Sequence, residues 1–290
     1  MNHFLLINKP PGITSFTVVK KIREITGIKK VGHMGTLDPR ACGLMIIGLD
    51  KAVKLEEYLL TLKKTYIVEM VFGIGSETYD RESKKFTYEP KNLNEKDLER
   101  IIKSFVGERE QVPPTFSALH IKGKRAYELA RKGEEFSLPK RKIIIYNAEL
   151  KYFEKNIFSR AIVEFCVSSG TYIRSLIRDI GKILNIPVIT SFLLRTQIGK
   201  FHINNALLYK NLEKNWKENL ISAVDMLDLP SFLVLKDAIQ KVRNGNPIRI
   251  KEVKNFFNCS NPILLVDENR ELLAIAYCDG NLIKPKKVFN

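Results

Sequence analysis

The sequence predicts a mixed α/β (α+β) fold, with a large N-terminal domain and a small β-rich domain at the C-terminus. Helical and strand-like hydrophobic periods alternate through the first three quarters of the chain. The pattern changes after Leu229-Pro230, where short apolar runs alternate with turn signals. A length of 290 residues also allows two domains of unequal size. We therefore expect domains at 1–229 and 230–290.

Each element of the N-terminal domain has its own signal. In chain order, the patterns predict a strand at 4–7, a helix from Ser15 ended by Gly27, a strand at 44–49, a helix through Leu55, Leu59 and Leu62, a strand at 65–73, a helix capped by Asn94, strands at 143–150 and 161–168, and a helix at 171–184. The helices follow from apolar residues three and four apart and from cap residues. The strands follow from alternating or continuous apolar runs.

The basic stretch at 117–142 and the C-terminal domain show other patterns. Between residues 117 and 142 the periodicity weakens, and residues 120–142 carry eight basic against three acidic side chains. We expect a mobile basic insertion there. In the C-terminal domain, the runs ILLV, LLAIAY and LIKP predict strands around the turns NGNP and CDGN.

Composition limits the function. Forty-eight Lys and Arg against 32 Asp and Glu give a net charge of +16, which favours a polyanionic partner such as nucleic acid or an acidic membrane face. The N-terminus has no secretory pattern, and no apolar run approaches the roughly 20 residues of a membrane span. We therefore expect a cytoplasmic protein that is not embedded in a membrane.

The sequence offers no cofactor motif. The four cysteines form no CxxC pair, and the four histidines are not at metal-ligand spacing. Thr78 occupies the third glycine position after Gly73 and Gly75, and neither GxxxxGK[ST] nor GxSxG occurs. We expect neither a metal nor an organic cofactor.

Two segments could carry chemistry. In GHMGTLDP, two glycines and Pro39 favour an extended loop that presents Asp38, although an Asp-Pro pair also commonly starts a turn. In SSGTYIR, Arg174 opens a helix and is well placed to pair with Asp38, or else is simply solvated. Tyr66, on an alternating strand, is by itself more typical of a core residue.

Six segments together carry a resemblance. They occur in order over most of residues 1–205, and they are NKPPGITS, GHMGTLDPRACG, KKTY, QVPPTFSALHIKGKRAYELAR, SSGTYIRSLIRDIG and LLRTQIGKF. They resemble the TruB family of bacterial tRNA pseudouridine-55 synthases. The last sixty residues resemble, more weakly, the PUA RNA-binding module. The resemblance implies a catalytic domain built on a mixed, largely antiparallel sheet.

The resemblance also implies the site. Asp38 matches the catalytic aspartate, which acts on the target nucleotide during cleavage of its glycosidic bond. Whether it attacks the ring, attacks the sugar carbon or abstracts a sugar proton stays open. Tyr66 matches the tyrosine that stacks on the uracil, and Arg174 the arginine that pairs with the aspartate. The matching substrate-binding residues are His33, Tyr172, Asp80, Leu193, Lys9 and Pro10.

The chain departs from the family pattern at several positions. Glu77-Thr78-Tyr79 stands where the family has Thr-Asp-Thr, and Leu194 stands where it has an arginine. Met34 and Cys42 replace a common threonine. The spacing from Tyr66 to Asp80 is kept.

The implied function is isomerisation of uridine 55 in the T-loop (TΨC arm) of tRNA, by a monomer that needs no cofactor and no protein partner. The nucleotide would be flipped out of its stack, and the basic insertion and the PUA-like domain would grip the T-arm stem-loop. Two alternatives remain open. One is an RNA-binding or tRNA-folding protein with an idle site, and the other is a related pseudouridine synthase acting on other RNAs with protein partners.

Overall fold

The computed structural model describes residues 2–117, 119–121, 123–132, 134, 136–257 and 260–289. Its helices are α1 (Ser15–Thr26), α2 (Glu56–Leu60), α3 (Glu95–Ser104), α4 (Ala126–Arg131), α5 (Ile173–Leu184), α6 (Leu212–Asn215), α7 (Ala223–Met226) and α8 (Lys236–Arg243). Its strands are β1 (Asn2–Lys9), β2 (Val31–His33), β3 (Cys42–Asp50), β4 (Lys64–Phe72), β5 (Ile74–Ser76), β6 (Phe86–Tyr88), β7 (Gly107–Gln111), β8 (His120–Ile121), β9 (Lys124–Arg125), β10 (Arg141–Glu154), β11 (Arg160–Val167), β12 (Val188–Ile198), β13 (Phe201–His202), β14 (Leu207–Leu208), β15 (Ile221–Ser222), β16 (Ser231–Leu233), β17 (Ile248–Arg249), β18 (Ile263–Val266), β19 (Leu272–Asp279) and β20 (Leu282–Val288).

A large mixed sheet organises the N-terminal part. Its strand order is β14-β1-β3-β12-β4-β11-β10-β7, and most neighbours are antiparallel. The pair β3–β12 is parallel, with Leu194 opposite Cys42 and Arg195 opposite Gly43. This pairing brings the loop that precedes β3 beside β12. The mixed, largely antiparallel sheet that the family resemblance implied is confirmed.

The helix ends follow the sequence signals. Thr14 caps α1 by accepting a hydrogen bond from the Thr17 amide (3.0 Å), and Gly27 ends the helix with a φ of 72°, a conformation that favours glycine. The Asn94 side chain accepts from the Lys96 amide (2.9 Å) at the start of α3. The predicted stop at Gly27 and cap at Asn94 are both confirmed.

The core of the N-terminal part lies between the helices and one face of the sheet. Alternate residues of β4, from Tyr66 to Phe72, point into it. The apolar faces of α1, α3 and α5 cover them, with Ile22, Ile102 and Ile177 fully buried. Burial of these faces holds α5 against the sheet, and so fixes the position of the residues at its start.

A second sheet, in the order β16-β18-β19-β20-β17, forms the C-terminal part. The predicted strands ILLV, LLAIAY and LIKP lie in β18, β19 and β20, whereas α8 was not predicted. Leu264 and Ile275 of this sheet share a buried apolar cluster with Phe4 and Leu44 of the large sheet. The two sheets therefore pack against each other directly.

The described part of the basic insertion contains regular structure. Strands β8 and β9 form a hairpin, and α4 follows at once. The weak sequence pattern had indicated no regular element there. Ala118, Lys122, Gly133 and Glu135, which belong to the predicted insertion, lie outside the described residues. Within the described parts of the chain, no helix combines the length and the apolar character needed to cross a membrane.

Candidate active site

A cavity of about 350 Å³ lies where the loop before β3 meets α5 and β12. The residues that line it are Pro11, Asp38, Arg40, Ala41, Asp80, Arg81, Arg174, Thr190, Ser191, Phe192 and Leu193. Four residues singled out from the sequence are among them, namely Asp38, Arg174, Asp80 and Leu193. The structure thus brings together side chains that are up to 155 positions apart in the chain.

The central contact is an ion pair between the loop and the helix. Arg174 Nε lies 2.9 Å from Asp38 Oδ2. The arginine side chain is only 7% exposed, whereas that of the aspartate is 40% exposed. A buried, oriented cation therefore holds a carboxylate that remains accessible from the cavity, and a charge-assisted bond of this kind fixes the position of that carboxylate.

A second carboxylate lies on the other side of the arginine. Asp80 is buried, and its Oδ2 lies 3.5 Å from Arg174 Nη1. Its Oδ1 accepts hydrogen bonds from Thr78 Oγ1 (2.6 Å) and from the Glu82 amide (2.8 Å). The guanidinium thus lies between two carboxylates, and the altered Glu77-Thr78-Tyr79 segment still supplies a donor to Asp80.

The other donors of Arg174 fix its position. Nη1 donates to the Thr78 carbonyl (3.3 Å) and Nη2 to the Phe116 carbonyl (3.0 Å). One residue further on, Ser175 donates to the Val112 carbonyl (2.9 Å). These bonds tie the start of α5 to the segment that leads into the basic insertion.

The loop that carries Asp38 is held from β12 by Arg195. This side chain is fully buried, and its three nitrogens donate to the carbonyls of Leu44 (2.7 Å), Thr36 (3.2 Å) and Gly35 (3.1 Å). Arg195 was not among the predicted site residues. The available signal was an arginine that directly follows two leucines on a strand, because a charge that is buried there needs buried partners.

Lys9, at the end of β1, holds the same loop through the Pro39 carbonyl. Its buried Nζ donates to the carbonyls of Ile13 (2.8 Å), Pro10 (3.0 Å) and Pro39 (3.2 Å). Burial lowers the pKa of Lys9 to about 8, with Asp38 among the charges that oppose the shift. Lys9 and Pro10 therefore reach the site through the backbone around Asp38 and not by lining the cavity.

Like Lys9 and Pro10, the predicted residues Tyr66, Tyr172 and His33 lie outside the cavity lining. Tyr66 is buried in the apolar cluster that also contains Leu37 and Leu193. Tyr172 exchanges two hydrogen bonds with the Gln111 side chain through its backbone (2.8 and 3.0 Å). Burial raises the pKa of its hydroxyl, which also senses the charges of Asp38 and Arg174.

His33 lies at the end of β2, opposite Ile47. Burial lowers its pKa, and the nearby Arg195 charge lowers it further. Its Nδ1 has no hydrogen-bond partner among the described residues. A neutral ring at the start of the Asp38 loop is the state these surroundings favour.

Comparison with known proteins gives the class of this chain. The family model for the TruB family pseudouridylate synthase (N terminal domain) matches residues 23–173. The chain is 37% identical over 288 residues to tRNA pseudouridine synthase B of Caldanaerobacter subterraneus, covering 98% of both chains. It is 34% identical over 301 residues to the Bacillus subtilis protein of the same name, covering 99% of this chain and 97% of that protein.

Solved structures share the fold. A chain of an H/ACA RNP bound to a substrate RNA aligns with a TM-score of 0.73 at 22% identity, over 99% of this chain and 85% of that one. A chain of a Cbf5-Nop10-Gar1 complex gives the same TM-score and coverage at 24% identity. The family model and the relatives that are 34–37% identical make the protein a pseudouridine synthase, an isomerase. It belongs to the TruB family.

Proposed function

We propose that this enzyme isomerises uridine 55 in the T-loop of tRNA to pseudouridine, with Asp38 as the nucleophile. The supporting observation is the accessible Asp38 carboxylate, held at 2.9 Å by the buried Arg174 at the wall of a cavity of about 350 Å³. A cavity of that size suits a single nucleotide. The name shared by the relatives, tRNA pseudouridine synthase B, supports tRNA as the substrate.

The reaction suits a carboxylate nucleophile with no metal or organic cofactor. The bond from the sugar to N1 of uracil breaks, a bond from the sugar to C5 forms, and C5 loses a proton while N1 gains one. No redox change or net hydrolysis occurs, so a side-chain nucleophile is sufficient in principle. Arg174 orients the carboxylate of Asp38 and pairs with its negative charge. A carboxylate needs such a partner once the bound RNA excludes water from the site.

The nucleotide must leave its stack to reach Asp38, at a cost of a few kcal/mol. An aromatic face that stacks on the extruded base offsets this cost. We assign that role to Tyr66, on the strand beside the site, and assign its hydroxyl to the proton-transfer step. Asp80 is assigned a supporting role, since it shares the guanidinium of Arg174 with Asp38.

The rest of the chain supplies RNA affinity. We propose a catalytic domain at 1–229, a PUA-like domain at 230–290, and an RNA-gripping insertion at about 117–142. The net charge of +16 supports binding to the phosphates of the T-arm. We further propose that the enzyme acts as a monomer without a protein partner, in the cytoplasm, where its tRNA substrate is found.

A tritium-release assay tests the proposal. The purified enzyme alone is given a T-arm stem-loop with C5-tritiated uridine only at position 55, and a matched stem-loop labelled only at a neighbouring uridine. We expect stoichiometric release from the first RNA and none from the second. Binding without release would identify an RNA-binding protein with an idle site. Release that occurs only with other RNAs or added proteins would identify a synthase of different specificity.

A further inference from the structure

An exposed aromatic ring lies at the cavity wall. Phe192 is 42% exposed, whereas Thr190 and Leu193 on the same strand are buried. It lines the cavity that also contains Asp38. A single exposed ring is common on a protein surface, but this one lies at the wall of the cavity that contains Asp38, where its flat apolar face is accessible to a ligand.

The backbone holds this ring in place. The register of β12 against β4 shifts between Thr190 and Phe192, so that Ser191 is an extra residue, or β-bulge. The Ser191 hydroxyl lies 3.1 Å from the Glu69 carbonyl oxygen and also hydrogen-bonds the Glu69 carboxylate, which in turn pairs with Arg160. A bulge fixed in this way re-aims the next side chain, and that side chain is Phe192.

Two guanidinium groups share the wall with the ring. Arg40 follows the Asp38-Pro39 pair, Arg81 follows Asp80, and both line the cavity. Within the described part of the chain, neither forms an ion pair, whereas Arg174 already serves Asp38 and Asp80. Their positive charges are therefore available to an anionic ligand.

We propose that Arg40, Arg81 and Phe192 bind the nucleotide adjacent to the target uridine. Phe192 stacks on its base, and the two guanidinium groups bind the phosphates that flank the flipped nucleotide. Single-stranded RNA presents this combination of an unstacked base and closely spaced phosphates, and it is recognised by aromatic faces and arginines. The inference rests on the proposed function, because it takes the cavity as the site of the target nucleotide.

The ring is tested by single-turnover kinetics across a range of RNA concentrations. Stacking on one base corresponds to about a 5- to 150-fold change in affinity. We expect Phe192→Ala to raise the half-saturating RNA concentration by that factor, with the rate at saturation little changed, and Phe192→Trp to restore it. Tyr152→Ala, which removes an exposed aromatic from β10 away from the cavity, is the matched control.

A double-mutant cycle identifies the base. Stem-loops with an abasic site 5′ or 3′ of the target are assayed with the wild type and with Phe192→Ala. Non-additive effects at one of the two positions support the stacking contact. Additive effects at both positions overturn it, as does an unchanged half-saturating concentration for Phe192→Ala.

The arginines are tested by salt dependence. Each phosphate contact contributes about 0.7 to the slope of log affinity against log salt for a single strand. We expect Arg40→Ala and Arg81→Ala each to flatten the slope by about that amount, while Arg100→Ala, an exposed arginine on α3, leaves it unchanged. Slopes equal to that of the wild type would overturn the phosphate contacts. Failure of the proposed function is recognised separately, because the wild type would then release no tritium.

Discussion

Replacing Arg174 by lysine keeps the charge but removes the planar set of donors. The guanidinium serves Asp38 at 2.9 Å and Asp80 at 3.5 Å, together with the carbonyls of Thr78 and Phe116. The compact ammonium of lysine cannot hold all four acceptors in this geometry. Losing one oriented, charged hydrogen bond costs about 1.5–3 kcal/mol. If that cost falls on the transition state, the single-turnover rate drops by about 10- to 150-fold.

The assay is single-turnover tritium release at saturating T-arm stem-loop, alongside the RNA dissociation constant. We expect the single-turnover rate of Arg174→Lys to be lower than that of the wild type by about 10- to 150-fold. Its RNA affinity should stay within about twofold of the wild type, since Arg174 is buried. Arg178→Lys is the control, one turn along the same helix, where the arginine contacts Asp179 and the Val112 carbonyl. The single-turnover rate of Arg178→Lys should fall much less. A rate for Arg174→Lys equal to that of the wild type would refute the assigned role of the ion pair.

Three further results are expected. Tyr66→Phe keeps the ring and loses the hydroxyl, so RNA affinity should persist while turnover falls by about 10²-fold; comparable kcat values would contradict its role. The dissociation constant for the stem-loop should rise at least about 40-fold between roughly 50 and 200 mM salt, as three or more phosphate contacts require, and a flat response would contradict electrostatic binding. Burial lowers the pKa of Lys9 to about 8 from 10.5, so between these values the unfolded chain retains a proton that the folded chain has lost. The free energy of unfolding of the wild type, relative to Lys9→Met, should therefore rise with pH across that window. Urea titrations of both proteins at each pH measure these free energies. A difference between the two proteins that does not change with pH would contradict the lowered pKa of Lys9.

Local sequence signals predicted much of the fold. The stop at Gly27, the cap at Asn94 and the alternation of β4 each depend on residues a few positions apart, and sequence patterns report such features directly. The short helices α4 and α8 were missed. At the start of α8, Leu235 supplies no side-chain cap of the kind that marks α1 and α3.

The site depends more on contacts between distant parts of the chain. The proximity of Arg174 to Asp38 was expected, because each stood in a recognisable segment. The role of Arg195 was not, since its acceptors, Gly35, Thr36 and Leu44, lie about 150 residues earlier in the chain. Phe192 comes directly after the point where β12 shifts register against β4, and the residue pattern of one strand does not reveal its pairing.

Asp38→Asn is the substitution that bears most directly on the proposed chemistry. The amide retains the size of the side chain and removes the negative charge that faces Arg174. Pseudouridine formed at position 55 of the stem-loop is quantified under single-turnover conditions, with thermal unfolding and RNA affinity recorded to show that the variant is folded and binds. We predict a rate at least about 10³-fold below that of the wild type, with binding retained. Pseudouridine formation by the folded variant at a rate near that of the wild type would contradict the account.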